Sequence, residues 1–197
     1  MALSKAFARQ ALGLRPDVHT FGFIGQIREV KGLLDLLEAL SRLREKPWQL
    51  LVAGADSSPG KQYEASCRER IQEMALERRV RFVGFLEDVS IFYRAIDVAV
   101  VPSRAEPLGR VPLEAAAWHR PAVACAVGGL VETVVDGVTG WLVTPNDPAA
   151  MATALTATLD FNIVRVRGRA ARQRVEQTCA PEPYARRMAK LYHDLLA

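Results

Sequence analysis

Residues 21–44, FGFIGQIREVKGLLDLLEALSRLR, hold the pattern that decides the fold. The first five residues, 21–25, are almost all apolar and end in glycine, which is typical of a short strand buried on both faces. A polar loop follows it. Five leucines then recur at the spacing of one helical face: Leu33, Leu36, Leu37, Leu40 and Leu43. The pattern predicts a strand, a loop and a helix, the repeating unit of a parallel α/β sheet.

The same alternation continues along the chain. Five further apolar segments are predicted as buried strands: 49–54, 80–85, 97–103, 121–127 and 140–143. Helical patterns lie between and after them, at 61–77, 88–96, from about 109, 148–159, 163–178 and 182–196. Six strands alternating with helices predict an α/β fold with a doubly wound parallel sheet, the Rossmann-like type. We expect residues 1–20 to be a lead-in segment, 21–180 to form this domain and 181–197 to form a C-terminal helix.

The composition is that of an ordinary globular chain. Of its 197 residues 50% are hydrophobic and 24% charged, and the formal net charge of +4 comes without a basic run. Nucleic-acid binding usually shows a basic stripe, so we expect no nucleic-acid partner. No apolar run is long enough for a transmembrane helix, and residues 1–10 lack the apolar centre of a signal peptide. A membrane surface stays open as a partner through regions outside this sequence.

Cysteine and histidine give no sign of a disulfide framework or a metal site. The three cysteines, Cys67, Cys125 and Cys179, are odd in number and contain no Cys-x-x-Cys pair. This pattern favours reduced thiols and a cytoplasmic protein, with Cys125 buried in a strand. The histidines are isolated, and we expect His19 and His193 at the surface. We expect no metal ion and no other cofactor.

Topology predicts where a ligand binds. In an open parallel sheet, ligands bind beyond the carboxyl ends of the strands, at the point where the strand order reverses. For the common order 3-2-1-4-5-6 this point lies between strands one and four. The loops to inspect are therefore 25–32 and 103–109.

The first of these loops, GQIREVKG (25–32), suits an anion. Gly25 lets the backbone approach a ligand, and Lys31 precedes a helix whose amino end favours negative charge. The loop is neither a Walker loop nor a Gly-x-Gly-x-x-Gly fingerprint. Taken alone, it is better interpreted as a polar turn with a solvated lysine.

The second loop runs into EPLGRVPLE (106–114), which has two glutamates with seven residues between them. Gly109 permits close approach, and Pro112 fits the first turn of a helix that carries Glu114. Backbone amides within 108–111 can donate to an anion, whereas the carboxylates accept from hydroxyls. Phosphate donors beside hydroxyl acceptors indicate a site for a nucleotide sugar.

This segment resembles a motif of a known family. Residues 106–109 followed by Glu114 and Ala115 resemble the paired-glutamate motif of retaining glycosyltransferases with the two-domain GT-B fold, the glycosyl transferases group 1. Supporting segments lie at 25–32, 83–85, 101–103, 121, 128–132 and 136–140. The similarity runs from about Leu14 to the last helix and covers only the C-terminal, donor-binding half. An N-terminal acceptor domain is therefore the implied partner, and we expect an excised domain or a truncated gene product.

The resemblance implies roles for particular residues. Glu106 would contact the hydroxyls of the transferred sugar, and Glu114 the ribose hydroxyls of the nucleotide. Lys31 would neutralise the diphosphate leaving group, so Glu106 and Lys31 are the catalytic candidates. The turn at Phe85 would border the base. The remaining substrate-binding candidates are Gly25, Gln26, Leu108, Gly109 and Arg110.

The implied activity is transfer of a sugar from a UDP-, GDP- or ADP-linked donor with retention at the anomeric carbon. The protein would position the substrates and stabilise leaving-group charge without a metal ion. The acceptor domain normally closes the cleft. We therefore expect the isolated chain to bind donor but not to turn it over.

Two positions depart from the family pattern. Gln26 stands where an arginine usually pairs with the lysine, which removes one positive charge; Arg28 or Arg110 is a candidate to compensate. His119 stands where a glycine commonly follows the helix, and we interpret it as a left-handed cap. Gln26 also keeps open a non-catalytic nucleotide-binding or assembly module. A dinucleotide-dependent oxidoreductase is disfavoured because the first strand lacks its glycine fingerprint.

Other residues have structural or open interpretations. Gly128, Gly129 and Glu132 either contact the sugar or form a turn and cap a helix, and the sequence leaves both open. Trp48 and Trp141 are predicted in the core. Five arginines of the helix at 163–178 are interpreted mainly as a solvated face: Arg165, Arg167, Arg169, Arg172 and Arg174.

Overall fold

The computed structural model describes residues 4–196, and its strands form one parallel sheet. The strands are β1 (His19–Ile24), β2 (Trp48–Ala53), β3 (Val80–Gly84), β4 (Val98–Val101), β5 (Ala122–Cys125) and β6 (Gly140–Val143). Their order across the sheet is β3-β2-β1-β4-β5-β6. The predicted fold class and strand order are confirmed, and the order reverses between β1 and β4.

Helices connect the strands and cover both faces of the sheet. They are α1 (Lys5–Ala11), α2 (Leu33–Ser41), α3 (Gln62–Glu73), α4 (Ser90–Ala95), α5 (Arg110–Ala117), α6 (Leu130–Thr133), α7 (Pro148–Ala157), α8 (Phe161–Cys179) and α9 (Pro181–Leu196). Most lie within a few residues of their predicted bounds. The first helix was predicted only as part of a lead-in segment. Division of the chain at residues 20 and 180 stays a prediction.

Two apolar layers sandwich the sheet, because alternate strand residues point to opposite faces. Phe21 and Phe23 of β1 lie in the layer formed with α2, α3 and α7. The opposite layer contains α1, α4 and α5. Gly22 faces this second layer, where an added Cβ would lie 2.6 Å from Ile96 and 2.7 Å from Phe92. This close approach seats α4 directly on β1, next to the point where the strand order reverses.

His19 was predicted at the surface, and this prediction was wrong. The strand begins two residues earlier than predicted, and His19 is 3% exposed. Its ring packs edge-on against Phe21 and Phe161, and its Nε2 lies 3.3 Å from Oγ1 of Thr158. The neighbouring carboxylate of Asp97 lies 3.9 Å from His19 Nδ1. Thr158, just after α7, and Phe161 of α8 therefore bury a polar strand end that sequence alone suggested was exposed.

The arginines of α8 are only partly a solvated face, so that interpretation needs correction. Arg167 lies 3.9 Å from the ring centroid of the buried Trp141 and donates to the Gly140 carbonyl. Arg172 donates to the carbonyl of Ala117, and Arg174 donates to that of Glu132. Arg165 and Arg169 are exposed as predicted. Three of the five side chains thus attach α8 to the sheet and to α5 and α6.

Other structural predictions are confirmed. Trp48 and Cys125 are buried, and His193 is exposed. His119 has a φ of 56°, the left-handed conformation expected of a residue that ends a helix. No helix in the described part of the chain combines the length and the apolar character needed to cross a membrane.

Candidate active site at the carboxyl edge of the sheet

A cleft of about 720 Å³ lies over the carboxyl ends of β1 and β4. The sheet order reverses at this point, so topology placed the cleft correctly. An adjoining, largely apolar pocket of about 340 Å³ shares residues 24–26 and Val89 with it. Eight predicted site residues line the main cleft: Gly25, Gln26, Lys31, Glu106, Leu108, Gly109, Arg110 and Glu114. The ninth, Phe85, lies in the adjoining pocket.

The two residues predicted to be catalytic contact each other. Lys31 Nζ lies 2.5 Å from Oε2 of Glu106, and both side chains are mostly buried, with 24% and 16% of their surfaces exposed. Ser103 Oγ lies 3.5 Å from the same carboxylate oxygen. An ammonium and a carboxylate at this distance attract each other strongly where water is scarce. The pair places a cation and a hydroxyl acceptor side by side on one wall of the cleft.

The loop that carries Lys31 packs tightly on the end of β4. Gly32 adopts a left-handed φ of 70° and precedes α2. A Cβ at this position would lie 2.0 Å from the carbonyl oxygen of Pro102. Only glycine fits both the backbone conformation and the space. The glycine therefore brings Lys31 up to the loop of Glu106.

Arg104 fixes the same two loops to each other. Its guanidinium donates to both carboxylate oxygens of Asp35, at 3.0 and 3.1 Å, and to Glu29 at 3.1 Å. Its backbone amide donates to the Val30 carbonyl at 2.9 Å. Sequence reasoning missed this residue. The sequence does contain a signal for this contact. Arg104 lies in the second loop, and two acidic residues, Glu29 and Asp35, lie in the first loop and in the helix that follows it.

A turn formed by Gly128 and Gly129 packs against the loop of Glu106. The amide of Gly129 donates to the Glu106 carbonyl at 3.1 Å. Added Cβ atoms would lie 2.0 Å from the Glu106 carbonyl at Gly128 and 2.4 Å from the Leu108 carbonyl at Gly129. The structure places both glycines in a turn that packs against the loop, and a contact with the sugar stays a prediction.

Glu114 lies in the second turn of α5 and lines the same cleft as Lys31. The Tyr93 hydroxyl donates to its Oε2 at 2.7 Å, and Nε of Arg110 lies 4.0 Å from its Oε1. The helix begins at Arg110 after the left-handed Gly109, so its amino end borders the cleft. An α-helix amino end carries unpaired amides and partial positive charge. Sequence reasoning did not find Tyr93.

Gln26, Phe85 and Leu108 form an exposed rim. Phe85 is 77% exposed and Leu108 is 55% exposed, which is unusual for large apolar side chains beside a cleft. Gln26 is exposed at the mouth shared by the cleft and the adjoining pocket.

The structure separates the two arginines considered as substitutes for a missing cation at Gln26. Arg110 lines the cleft, with 80% of its side chain exposed. Arg28 lines a different groove, on the other side of the first loop, together with Tyr63 and Arg104. The geometry therefore favours Arg110. Within residues 4–196, no three His, Cys, Asp or Glu side chains are grouped so as to hold a metal ion.

A family model described as glycosyl transferases group 1 matches residues 18–160. The chain belongs to this family. The paired-glutamate motif predicted membership of this family, and the match confirms that prediction.

Two relatives illustrate the similarity in sequence. D-inositol 3-phosphate glycosyltransferase of Corynebacterium urealyticum is 36% identical over 165 residues, covering 81% of this chain and 39% of the relative. The lipopolysaccharide core biosynthesis mannosyltransferase LpsB of Rhizobium meliloti is 35% identical over 199 residues, covering 98% of this chain and 56% of the relative. This group 1 chain thus spans between about two fifths and just over half of the length of these two enzymes.

Solved structures show the same relation. A sucrose-phosphate synthase from Thermosynechococcus elongatus matches with a TM-score of 0.85 and 36% identity, over 96% of this chain and 48% of that chain. Anabaena Alr3699/HepE in complex with UDP-glucose matches with a TM-score of 0.88 and 25% identity, over 96% and 52%. The group 1 chain therefore has the Rossmann-like fold of one half of a GT-B enzyme.

Proposed function

We propose that this chain is the donor-binding part of a glycosyltransferase that uses a nucleoside-diphosphate sugar and retains the anomeric configuration. One observation carries the proposal. Lys31, Glu106 and Glu114, from three separate segments, converge on one cleft where the strand order reverses. A cation, a helix amino end and two carboxylates are the groups that a nucleotide sugar needs, because it presents a diphosphate between two sets of hydroxyls.

The proposed donor lies along the cleft. Its diphosphate lies beside Lys31 and the amino end of α5, and its sugar hydroxyls donate to Glu106. The ribose hydroxyls donate to Glu114. The base enters the adjoining apolar pocket next to Phe85. Both carboxylates line the same cleft, which supports hydroxyl binding by each of them to a single ligand.

Leaving-group stabilisation is the chemistry proposed for this half. The bond between the anomeric carbon and the diphosphate oxygen breaks, and its electron pair goes to the phosphate. Lys31 and the amides at the start of α5 stabilise the charge that develops there. Retention follows when the acceptor hydroxyl adds to the face from which the diphosphate departs, and its proton passes to the departing diphosphate oxygen. The acceptor contacts are proposed to come from the N-terminal domain of a longer protein.

We propose that the nucleotide of the donor is UDP, GDP or ADP. UDP-glucose is the ligand of the related Anabaena Alr3699/HepE, which gives UDP the first place. Location in the cytoplasm stays a prediction. The same is true of a membrane surface as a partner through regions outside this sequence.

Calorimetry on the chain and on Glu114→Ala tests the proposal. We expect saturable binding of one nucleoside diphosphate and of the corresponding nucleotide sugar, with both weakened in Glu114→Ala because both contain the ribose. Loss confined to the sugar-bearing ligand would contradict the ribose contact. Sugar transfer is expected to be negligible for the chain alone, and robust turnover would contradict the need for an acceptor domain.

A further inference from the structure

Tyr93 is a buried aromatic residue whose hydroxyl contacts Glu114, a residue that lines the cleft. Its side chain is 0% exposed, yet its hydroxyl donates to Oε2 of Glu114 at 2.7 Å. The two residues are 21 positions apart, on α4 and α5. Glu114 itself is 39% exposed toward the cleft. A fixed donor inside the core thus holds one end of a carboxylate that meets solvent.

The position of Tyr93 is set by packing that does not involve the cleft. Its ring stacks edge-on against Phe92, with centroids 5.2 Å apart. Arg120, just after α5, donates from Nε to the Tyr93 carbonyl at 3.0 Å. Arg94 lies 4.4 Å from the ring centroid of Trp118 at the end of α5. These contacts join α4 to α5, so the hydroxyl and the carboxylate keep their relative position.

The hydrogen bond from Tyr93 makes the two carboxylate oxygens of Glu114 inequivalent. Oε2 accepts from the tyrosine, which leaves Oε1 to accept from a ligand. Burial raises the pKa of Tyr93, with the hydrogen bond to Glu114 raising it further, so the phenol keeps its proton and stays a donor. A glutamate without such a partner samples several rotamers and must be ordered when ligand binds.

We propose that Tyr93 is a positioning residue that orients Glu114 for the ribose hydroxyls and thereby makes the site selective for ribonucleotides over deoxyribonucleotides. This role rests on the proposed function, because it acts through the ribose contact of Glu114. Selectivity follows because Tyr93 fixes the Glu114 carboxylate. When a deoxyribonucleotide lacks the ribose hydroxyl, the fixed carboxylate cannot rotate to a different hydrogen-bond donor, so binding is weaker.

The test compares ribonucleotide and dideoxyribonucleotide binding in matched variants. Tyr93→Phe removes the hydroxyl and keeps the buried ring, and Tyr63→Phe is the control. Tyr63 lines the groove on the other side of the first loop, where its oxygen accepts from the Leu34 amide at 3.4 Å. The probes are UDP, GDP and ADP and their 2′,3′-dideoxy counterparts, titrated by calorimetry into the 197-residue chain.

We expect wild type and Tyr63→Phe to bind the preferred ribonucleotide about tenfold or more tightly than its dideoxy counterpart, the scale of a charge-assisted hydrogen bond. Tyr93→Phe is expected to lose most of that ratio through weaker ribonucleotide binding, with dideoxy binding unchanged. In the Glu114→Ala background, Tyr93→Phe is expected to change the ratio no further, because it acts only through Glu114.

The possible failures differ from each other. A Tyr93→Phe variant that keeps the wild-type ratio would overturn the role of Tyr93 and leave the nucleotide site standing. So would an effect of Tyr93→Phe on the ratio that persists without Glu114. A wild-type chain that binds none of the three ribonucleotides would overturn the proposed function, and the role of Tyr93 with it.

Discussion

Lys31 Nζ lies 2.5 Å from Oε2 of Glu106, so the cation proposed for the diphosphate is held by the carboxylate proposed for the sugar. The two residues come from loops after β1 and β4, and Arg104 and Gly32 bring these loops together. A diphosphate that enters the cleft shares Lys31 with Glu106. Sugar and phosphate recognition are therefore coupled through one ion pair.

Replacing Lys31 by alanine is expected to weaken binding of the nucleoside diphosphate by about tenfold to a hundredfold, the range of a charged hydrogen bond to phosphate. Binding of the uncharged nucleoside should not change, because it has no phosphate. Calorimetry with both ligands measures the difference. Lys46→Ala, at an exposed lysine, is the control. An unchanged diphosphate affinity in Lys31→Ala would remove this loop from the site.

Glu106→Gln is expected to act in opposite directions on two ligands. It removes a negative charge that competes for Lys31, so the nucleoside diphosphate should bind about threefold or more tightly, as expected when one competing charge is removed. The nucleotide sugar should lose its advantage over the diphosphate, because the sugar hydroxyls lose a charged acceptor. The ratio of the two dissociation constants reports both changes. A fall in affinity for both ligands by the same factor would argue against a sugar contact.

Gln26→Arg restores the charge that the family pattern has at this position. The side chain stands at the mouth of the cleft, so the variant is expected to raise diphosphate affinity by about threefold to tenfold at low salt, with less effect at high salt.

Arg110→Ala should reduce diphosphate affinity, since Arg110 lines the cleft, whereas Arg28→Ala should not. The reverse order for the two arginines would show that the first loop rearranges when ligand binds.

Gly32→Ala tests whether the close packing of the two loops stabilises the fold. Gly137 is the matched control, since it has a similar φ of 74° and open space where a Cβ would stand. Gly137→Ala is expected to cost about 1–2 kcal/mol for the left-handed conformation alone. Gly32→Ala should cost about 1–3 kcal/mol more because of the overlap with Pro102. Chemical denaturation measures both free energies of unfolding, and equal losses would show that the loops separate easily.

Acid should destabilise the fold through His19. Burial lowers its pKa from 6.5 to about 4, against the opposing effect of the nearby Asp97 carboxylate. The unfolded chain therefore binds a proton near pH 6.5 that the folded chain binds only near pH 4. Stability attributable to this residue is complete above pH 6.5 and falls by about 3 kcal/mol as the pH drops to 4.

The difference between wild type and His19→Gln isolates this contribution from that of Asp97 and its partners Lys5 and Arg9. Denaturation of both proteins between pH 7 and 4 should show a smaller loss for His19→Gln. His193→Gln, at an exposed histidine, should follow wild type. Parallel curves for wild type and His19→Gln would show that His19 takes up its proton without unfolding.

Sheet order and cleft position could be predicted from sequence because they depend on local apolar runs and on a general rule of topology. Gly25, Lys31 and Glu106 stood out because their loops follow predicted strands. The contact between Lys31 and Glu106 could not be predicted in the same way. It depends on Gly32 meeting Pro102, a contact between segments about 70 residues apart that leaves no local pattern.

The surroundings of Tyr93 and His19 also could not be predicted from the sequence, because they depend on tertiary packing. Tyr93 lies in a short helix whose pattern indicates only a packed aromatic residue. Its contact with Glu114 depends on how α4 and α5 sit together. His19 is polar and stands at the first position of a strand, which suggests exposure. Phe161 and Thr158, more than 130 residues later, bury it.

The most direct test of the nucleotide-sugar site is a titration of the isotope-labelled chain with UDP-glucose, GDP-mannose and ADP-glucose, followed through its backbone amide chemical shifts. One donor should give saturable shifts that concentrate in residues 25–32, 84–89 and 103–114, with the same dissociation constant at all three segments. Shifts confined to the groove of Arg28, Pro59 and Tyr63, or no saturable shift with any donor, would contradict a donor site in the cleft.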